Sequence, residues 1–535
     1  MIAFLSQPEA YGAASVQRVE THASIVFLAG GHAYKLKKAV RFSYLDYSTP
    51  ELRRAACEKE LVLNRRTAPD LYLRVMPVCR AASGGLTLGG DGAIVDWLLV
   101  MLRFDASGQF DRLARHGQLT VEMMRQLADR IADFHRSLSE EQQFGGPAAI
   151  AEIIVENDGN LARFGTGLFD AAAISRLTMR SLDEASRHKR LLHQRQREGH
   201  VRRGHGDLHL GNIALWRGAP MLFDAIEFSD RLACVDILYD LSFLLMDLIE
   251  RSRPDLASAV FNRYLDRMPD ETDGPPLLPL FLSIHAAIRA HVQATMASGA
   301  TDSAARLDAR RRATGYFELA GELLQASPPR LLAIGGVSGT GKSTLAAHLT
   351  PYTGRPLGAR ILRSDVIRKQ LHGVAPEDRL PDSTYTLEKT ARVYDALRRE
   401  ADQLLASGCS VIVDATFLDP AERAAIRAVA DGREVPFAGL WLDAPDSVLA
   451  SRLSVRVSDA SDATPAVLGR QRHEATAPAD WADFASDCPA STLVFRTLRY
   501  LGRLGWLVGL PNEPPVGAIV ADTAPLTIGV SHGRS

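Results

Sequence analysis

The fold of the second half of this chain is decided by residues 336–343, which read GVSGTGKS. The apolar segment Leu331–Gly335 stands directly before this stretch and predicts a buried strand, and a helix is predicted to begin at Ser343. In this setting the glycines let successive backbone N–H groups surround phosphate oxygens, and the helix N-terminus adds positive potential. The sequence therefore predicts a nucleotide site, with a plain glycine-rich turn as the alternative.

The side chains and backbone groups of this loop have separate predicted tasks. Lys342 is expected to reach the β- and γ-phosphates of ATP, and the Ser343 hydroxyl is expected to bind Mg²⁺. The residues predicted to contact ATP here are Gly336, Ser338, Gly339, Thr340, Gly341, Lys342, Ser343 and Thr344.

An acidic residue ends another predicted strand of the same half. Asp414 follows the apolar run 410–413, and further strands are predicted at 361–363 and 437–442, alternating with helices. That alternation predicts a parallel sheet with flanking helices. The carboxyl end of such a strand lies beside the phosphate loop, so Asp414 is expected to orient Mg²⁺. An aspartate that caps the next turn is the alternative.

A kinase needs a place for the acceptor hydroxyl, and two segments supply candidates. Asp365 is expected to take the proton from an acceptor hydroxyl, and Arg368 is expected to hold an anionic substrate. Arg452 and Arg456 are four residues apart on one predicted helix face, ahead of the polar stretch 458–463, which suits a lid. Lid arginines neutralise a transferring phosphoryl group, whereas the alternative is a solvated basic helix face.

These elements, in this order, resemble the P-loop kinases of the polynucleotide kinase, zeta-toxin and gluconate-kinase group over about residues 330–480. The resemblance implies that Asp365 acts on the acceptor hydroxyl and that Arg452 or Arg456 contacts the ATP phosphates. It fades beyond Trp481, so no particular strand or helix is predicted there.

The first half carries a second series of catalytic-type residues, on the stretch 204–228, which lacks helical periodicity. Asp207, Asn212 and Asp224 have the spacing of a kinase catalytic loop followed by a metal-binding aspartate. Asp207 is expected to accept the proton of an acceptor hydroxyl, and Asn212 and Asp224 are expected to ligate Mg²⁺ through hard oxygen atoms. A turn rich in histidine and aspartate is the alternative.

This half resembles the aminoglycoside phosphotransferase-like family, and the whole chain resembles bacterial proteins that fuse such a domain to a P-loop kinase. Besides the loop, the resemblance rests on segments 33–38, 42–46, 63–66 and 236–244. It implies a kinase-like fold in which a strand lysine grips the ATP phosphates and pairs with a helix glutamate. The phosphate-covering pattern G-x-G-x-x-G of protein kinases is missing near residues 20–32.

Lys35 and Glu60 are the predicted lysine–glutamate pair. Lys37 and Glu58 stay open as alternatives, because alternate residues of a strand share one face. Glu227 is a candidate for the metal site or for an ordinary salt bridge. Asp240 is expected either to brace the catalytic loop or to cap a helix or form a buried ion pair.

Composition limits the class of protein. The 535 residues are 46% hydrophobic and 23% charged, with a net charge of −1, which is typical of globular proteins with several domains. The neutral balance argues against nucleic acid as a partner, and no apolar run approaches the roughly 20 residues that span a bilayer. Five scattered cysteines indicate a reducing compartment, so a cytoplasmic protein without disulfides is expected.

The sequence thus predicts two domains of α/β and α+β class. A kinase-like domain is expected over 1–326, a P-loop domain over 330–510, and a disordered tail over 511–535. Each domain is predicted to transfer the γ-phosphoryl group of ATP, with Mg²⁺, to a hydroxyl of a small polar metabolite. The alternatives are a regulatory ATP-binding protein whose first half is a pseudokinase, and a polynucleotide or nucleotide-sugar kinase. The oligomeric state stays open.

Overall fold

The computed structural model describes residues 1–506, apart from residue 22 and residues 43–44 and 455–459. Two compact units make up the chain: unit 1 is Met1–Ser327, and unit 2 begins at Pro328. The tail predicted over 511–535 and the candidate lid residue Arg456 lie outside the described residues.

Unit 1 contains ten strands and twelve helices among its described residues. The strands are β1 Val16–Glu20, β2 Ser24–Ala29, β3 His32–Lys37, β4 Tyr72–Arg80, β5 Leu86–Leu88, β6 Ala93–Leu102, β7 Val201–Arg203, β8 Ile213–Trp216, β9 Ala219–Leu222 and β10 Cys234–Asp236. The helices are α1 Ile2–Leu5, α2 Pro50–Asn64, α3 Phe110–Arg115, α4 Val121–Ser137, α5 Gly146–Phe164, α6 Ala171–Arg187, α7 Lys189–Arg197, α8 Asp230–Ala233, α9 Ile237–Glu250, α10 Pro254–Arg267, α11 Leu278–Gly299 and α12 Ser303–Leu323.

The first six strands form an antiparallel sheet in the order β1-β2-β3-β6-β4-β5. Two separate antiparallel pairs, β7 with β10 and β8 with β9, lie among the helices that follow. The stretch 204–228, expected to be irregular, therefore contains the β8–β9 hairpin, and the residues on either side of it stay free of regular strands.

Because side chains alternate along β3, the two faces of this strand carry different residues. Leu36 packs into an apolar cluster on one face, while Lys35 and Lys37 reach Glu60 on α2 from the other face. Helix α2 begins at Pro50, and the Thr49 hydroxyl caps it by accepting a hydrogen bond from the Leu52 backbone N–H of its first turn.

Unit 2 is a parallel sheet covered by helices on both faces. Its strands are β11 Leu331–Gly335, β12 Arg360–Arg363, β13 Val411–Asp414, β14 Phe437–Asp443 and β15 Ala482–Ala485. Its helices are α13 Lys342–Leu349, α14 Ser364–Leu371, α15 Leu387–Ala406, α16 Pro420–Gly432, α17 Asp446–Ser454, α18 Pro465–Glu474 and α19 Ala490–Arg503. The strand order is β12-β13-β11-β14-β15, so the strand that leads into the glycine-rich loop lies at the centre.

The core of unit 2 follows from the alternation of side chains along β11. Leu331 and Ala333 pack on one face with α15, whereas Leu332 and Ile334 pack on the other face with α13 and α19. The parallel α/β fold is confirmed. Strand β15 and helix α19, which complete the sheet and one of its layers, were not predicted, because they lie beyond the point where the resemblance fades.

Two expectations from the composition concern the cysteines and the apolar segments of the chain. The five cysteines are free thiols, and three of them are buried while Cys409 and Cys488 are partly exposed. Among the described helices, the one over Pro275–Gly299 is long and apolar enough to cross a membrane by length and composition, and most of it is buried within unit 1.

Close packing around Gly439 gives a test of this fold. A Cβ at Gly439 on β14 would lie 2.4 Å from the Trp481 indole, so we expect Gly439→Ala to lower the free energy of unfolding of unit 2 by about 1–3 kcal/mol. Urea unfolding followed by tryptophan fluorescence measures this change. Gly432→Ala is the control, because a Cβ at the end of α16 meets nothing within 4 Å. Equal stability of the two variants would contradict the packing described.

Candidate active sites

In unit 1, one strand lysine lies between two carboxylates from different parts of the chain. The Lys35 ammonium donates to Glu60 Oε1 at 2.8 Å and to Asp224 Oδ1 at 2.6 Å. Burial by itself lowers the pKa of Lys35, but Asp224 and Glu60 outweigh it and hold that pKa well above its usual value. The side chain of Asp224 is 44% exposed, so this end of the cluster faces open space.

A second lysine shares the same glutamate. The Lys37 ammonium donates to Glu60 Oε2 at 2.6 Å and also to Glu227, which accepts a further hydrogen bond from Tyr47. Its side chain is 1% exposed, against 14% for Lys35. Burial raises the pKa of Glu60, but the two lysines bring it down to about 2. Glu227 is thus a salt-bridge partner, the second of the two alternatives considered for it.

The other candidates from the same helix and strand lie elsewhere. Glu58 accepts a hydrogen bond from Arg54 at 2.8 Å, one turn earlier on the exposed side of α2. The structure therefore brings both candidate lysines to Glu60 and neither to Glu58, and it leaves Lys35 nearest to the exposed carboxylate of Asp224.

The catalytic-type loop is held by its own side chains. The Asn212 amide donates to the backbone oxygen and to Oδ2 of Asp207, each at 2.9 Å, and this uses the amide nitrogen rather than the oxygen. His209 Nε2 lies 3.5 Å from Asp207 Oδ2. Burial raises the pKa of Asp207, but His209, with His205 and Arg289, outweighs this effect. The pKa of Asp207 therefore lies well below its usual value. Asp207 therefore stays ionised at neutral pH.

Asp240 fixes the start of this loop. Its two carboxylate oxygens accept hydrogen bonds from the backbone N–H groups of His205 and Gly206, both at 2.8 Å, and His135 Nε2 lies 3.1 Å away. Asp240 therefore braces the start of this loop and also forms a buried pair with His135, which are two of the alternatives considered for it. A carboxylate buried in helix α9 is stable there because backbone and imidazole groups satisfy it.

Backbone contacts tie the loop to the segment that carries Asp224. The Phe223 N–H donates to Asn212 O at 3.0 Å, and the Ile226 N–H donates to His205 O at 2.9 Å. The structure thus brings Asp207, Asn212 and Asp224 to one region, and their catalytic roles stay predictions.

Two residues without a predicted role set the backbone at Asp224, which has the strained φ of 64°. The Asp224 N–H donates to the Tyr72 hydroxyl at 3.1 Å, and the next N–H, of Ala225, donates to Asn64 Oδ1 at 2.8 Å. Asn64 lies one turn after Glu60 on α2, which is the only sequence signal that could have pointed to it.

In unit 2, the glycine-rich loop folds as a tight turn before α13. Gly336, Gly339 and Gly341 have φ values of 131°, 87° and 86°, and a Cβ at Gly336 would lie 2.3 Å from the Leu442 backbone oxygen. The Thr340 hydroxyl donates to Val337 O at 2.8 Å inside the turn. Positive φ at all three positions favours glycine there, because residues with a side chain rarely adopt this backbone conformation.

The polar groups of the loop have partners within the chain. The Lys342 ammonium donates to Gly336 O and Val337 O, both at 2.9 Å, and the Ser338 N–H donates to Gln471 Oε1 at 2.8 Å. Gln471 lies on α18 and had no predicted role. Thr344, predicted to contact ATP, has an exposed side chain in the first turn of α13.

The predicted Mg²⁺ ligands of unit 2 are in direct contact. The Ser343 hydroxyl donates to Asp414 Oδ2 at 2.5 Å, and Arg363 Nε lies 3.4 Å from the same oxygen. Parallel pairing places Arg363 opposite Asp414 at the carboxyl ends of β12 and β13. A hydroxyl and a carboxylate side by side are hard oxygen ligands that suit Mg²⁺, and a glycine-rich turn before a helix suits phosphate oxygens.

Asp365 lies in the first turn of α14, directly after strand β12. Burial raises the pKa of the Asp365 carboxyl and Asp414 adds to this, whereas Arg363, the Ser461 hydroxyl and Lys342 oppose it; the net pKa is raised. A carboxylate with a raised pKa takes up a proton more readily than an ordinary aspartate.

The candidate arginines differ in what they contact. Arg368 is buried and donates to Thr384 O at 2.9 Å, with its guanidinium 4.6 Å from the centre of the Tyr385 ring, so it holds the chain near residue 384. Arg452 donates to Gly339 O at 3.3 Å and to Ser486 O at 2.7 Å, which places it against the phosphate loop.

Comparison with known proteins matches each unit to a family. A model described as "Phosphotransferase enzyme family" matches residues 41–276, and one described as "AAA domain" matches residues 331–478. Uncharacterized protein Rv2004c of Mycobacterium tuberculosis is 30% identical over 469 residues, which cover 86% of this chain and 90% of that protein.

Two solved structures resemble parts of the chain. A sugar kinase from Janibacter sp. HTCC2649 is 23% identical, with a TM-score of 0.27, over 34% of this chain and 100% of its own. A choline/ethanolamine kinase family protein from Mesorhizobium loti is 14% identical, with a TM-score of 0.36, over 61% of this chain and 93% of its own.

The two lysines at Glu60 should respond differently to replacement. Lys37→Met leaves the buried carboxylate of Glu227 without its cation and Glu60 with Lys35 alone, so we expect the free energy of unfolding of unit 1 to fall by about 3–5 kcal/mol. Lys35→Met should cost less, since Lys37 remains at Glu60, and should weaken nucleotide binding more. Chemical denaturation and ATP titration measure the two effects. The control is Lys38→Met, which removes a partly exposed pair with Glu20 and a hydrogen bond to the Thr21 backbone oxygen. Identical behaviour of the Lys35 and Lys37 variants would refute the distinction.

The raised pKa of Asp365 predicts a pH dependence of stability. The folded state holds this proton more tightly than the unfolded state, so its contribution to stability falls as pH rises through the folded pKa. Asp365→Asn should therefore raise the melting temperature of unit 2 at neutral pH, and the gain should vanish near about pH 4. Asp402→Asn, whose pKa is lowered by Arg433, should have the opposite sign. No gain for Asp365→Asn at neutral pH would contradict the burial of this carboxylate.

Proposed function

The chain belongs to the family that joins an aminoglycoside phosphotransferase-like domain to a P-loop kinase-like domain and includes the mycobacterial relative, and we propose that it is an ATP-dependent phosphotransferase with two active sites. Each site transfers the γ-phosphoryl group of ATP to a hydroxyl of a small polar metabolite. The proposal rests above all on one observation: the glycine-rich loop, the Ser343–Asp414 contact and the Asp365 carboxylate meet at one edge of the unit 2 sheet.

In unit 2, the tasks divide among backbone, cations and carboxylates. Backbone N–H groups of the loop and Lys342 bind the phosphates of ATP, and Arg452 neutralises charge from the α17 side. Bound Mg²⁺, held at Ser343 and Asp414, supplies positive charge to the phosphate oxygens. Asp365 accepts the proton of the acceptor hydroxyl, for which its raised pKa suits it.

In unit 1, Lys35 binds the phosphates, and Glu60 sets its position. Asn212 and Asp224 are the metal ligands, and Asp207 receives the proton of the acceptor. The low pKa of Asp207 means that it is ionised at neutral pH and acts by orienting the hydroxyl as much as by taking its proton. Because this set is complete, we favour an active kinase over a pseudokinase for unit 1.

The acceptor and the location follow from general chemistry. The net charge of −1 gives no field that would attract nucleic acid, so a small molecule is the favoured acceptor. We place the protein in the cytoplasm, because ATP is available there and the five cysteines are free thiols.

ATP turnover with a panel of metabolites tests the proposal. We expect Asp207→Asn and Asp365→Asn each to abolish a different phosphorylated product, with a loss of about 10²–10⁴-fold in rate. The matched controls are Asp70→Asn and Asp402→Asn, which remove exposed carboxylates paired with Arg217 and Arg433. Slow ATP hydrolysis without any phosphorylated product would favour a regulatory ATP-binding protein instead.

A further inference from the structure

Three side chains of the kind that bind metal ions meet in unit 1, and none of them has a role in the proposed kinase reaction. Glu198, His200 and Asp273 each offer one ligand atom, and these three atoms lie within 4.8 Å of one another. Zinc ligands stand about 2.0–2.2 Å from the metal and therefore about 3.3 Å from one another in a tetrahedral site. A modest movement of the two carboxylate side chains is thus enough to close the site around a metal ion.

Two of these ligands come from one tight turn of the chain. Glu198 ends helix α7, and Gly199 follows with a φ of 83°, a backbone conformation that favours glycine and ends the helix. His200 stands next, directly before strand β7. Asp273 comes from the segment between α10 and α11, so the site joins two parts of unit 1 that are distant in sequence.

The imidazole of His200 is buried and is held in place through one of its two nitrogens. His200 is 9% exposed, and its Nδ1 lies 2.8 Å from Glu271 Oε1. A histidine that binds a metal usually makes such a bond to a carboxylate, which fixes the orientation of the ring. The other nitrogen, Nε2, has no hydrogen-bond partner in the part of the chain that the structure describes, so it is the nitrogen left to bind a metal.

The carboxylates around this site outnumber the cation that binds them. The side chain of Arg195 is fully buried and donates hydrogen bonds to three carboxylates, which are those of Asp236 at 2.7 Å, Glu271 at 2.5 Å and Asp273 at 2.5 Å. Glu198 adds a fourth negative charge. Carboxylates withdrawn from water are costly unless cations compensate them, so a divalent cation would stabilise this cluster.

The types of ligand select the class of metal. One imidazole and two carboxylates suit zinc, whereas Mg²⁺ is bound by oxygen ligands. Arg195 binds Oδ1 of Asp273, which leaves Oδ2 of that carboxylate for the metal. Three protein ligands leave the fourth position of a tetrahedral zinc ion for water.

We propose that Glu198, His200 and Asp273 form a Zn²⁺ site in unit 1, separate from the Mg²⁺ sites of the proposed kinase reaction. The Ile237 N–H donates to His200 O at 3.0 Å, and helix α9, which begins at Ile237, carries Asp240. Zinc held at His200 therefore stabilises the start of α9 and, through Asp240, the start of the catalytic-type loop.

Zinc binding to the full chain tests the site. The parent protein carries Asp224→Asn and Asp414→Asn, so that a proposed Mg²⁺ ligand is removed from each unit. Calorimetric titration with Zn²⁺ should show one strong site per chain, which a large excess of Mg²⁺ does not displace. Glu198→Gln and His200→Gln should each weaken binding by about tenfold or more, since loss of an outer partner alone weakens metal binding by about 10–100-fold.

The matched control is Glu184→Gln with His188→Gln, which removes a histidine–glutamate pair 3.2 Å apart on α6 and should leave zinc binding unchanged. Glu198→Gln decides the outcome if His200→Gln fails to fold, because Glu198 is exposed. Saturating Zn²⁺ should raise the melting temperature of the parent protein more than that of Glu198→Gln. Unchanged affinity in Glu198→Gln, displacement by Mg²⁺, an equal loss in the control or no bound zinc overturns the inference.

Discussion

Ionised side chains are buried in both units, and a buried charge costs several kcal/mol unless a partner compensates it. This requirement decides which distant segments meet. Glu60 is fully buried, and it receives Lys35 on one carboxylate oxygen and Lys37 on the other, which joins strand β3 to helix α2. In unit 2, the fully buried Lys369 finds its counter-ion in Asp462, far along the chain. In both cases a pairing that neutralises charge also positions the residues around a candidate site.

The two sites fix their phosphate-facing and acceptor-facing groups by different means. Unit 2 relies on backbone geometry, since glycines with positive φ bend the loop and the parallel register brings Arg363 opposite Asp414. Unit 1 relies on side chains that bond to the backbone, chiefly Asp240, whose two oxygens hold the start of the catalytic-type loop. Phosphoryl transfer asks for little covalent chemistry from the protein, so rigid placement is the main contribution in either design.

The sequence could point to a candidate site where its residues lie in one continuous stretch. The loop before Lys342 and the series from Asp207 to Asp224 lie in such stretches, and their roles stay predictions, whereas the predicted parallel fold of unit 2 is confirmed. The sequence was insufficient where packing between distant segments decides which residues meet. Alternation in a strand puts Lys35 and Lys37 on one face, and only the packing of α2 brings both to Glu60. Arg368, expected to hold an anionic substrate, donates to the Thr384 backbone oxygen, a contact that nothing local to the sequence indicated.

The contact between Gln471 and the phosphate loop has a consequence for affinity. Gln471 Oε1 accepts the hydrogen bond of the Ser338 N–H, which is one of the groups that a phosphate oxygen would engage. In the nucleotide site that we propose, the amide would act as a tethered competitor for this N–H group, and a nucleotide would have to displace it. The apparent dissociation constant then equals the intrinsic one divided by the fraction of molecules in which the amide has swung away. A substitution of Gln471 on α18 would therefore change the ATP concentration at which the proposed site fills.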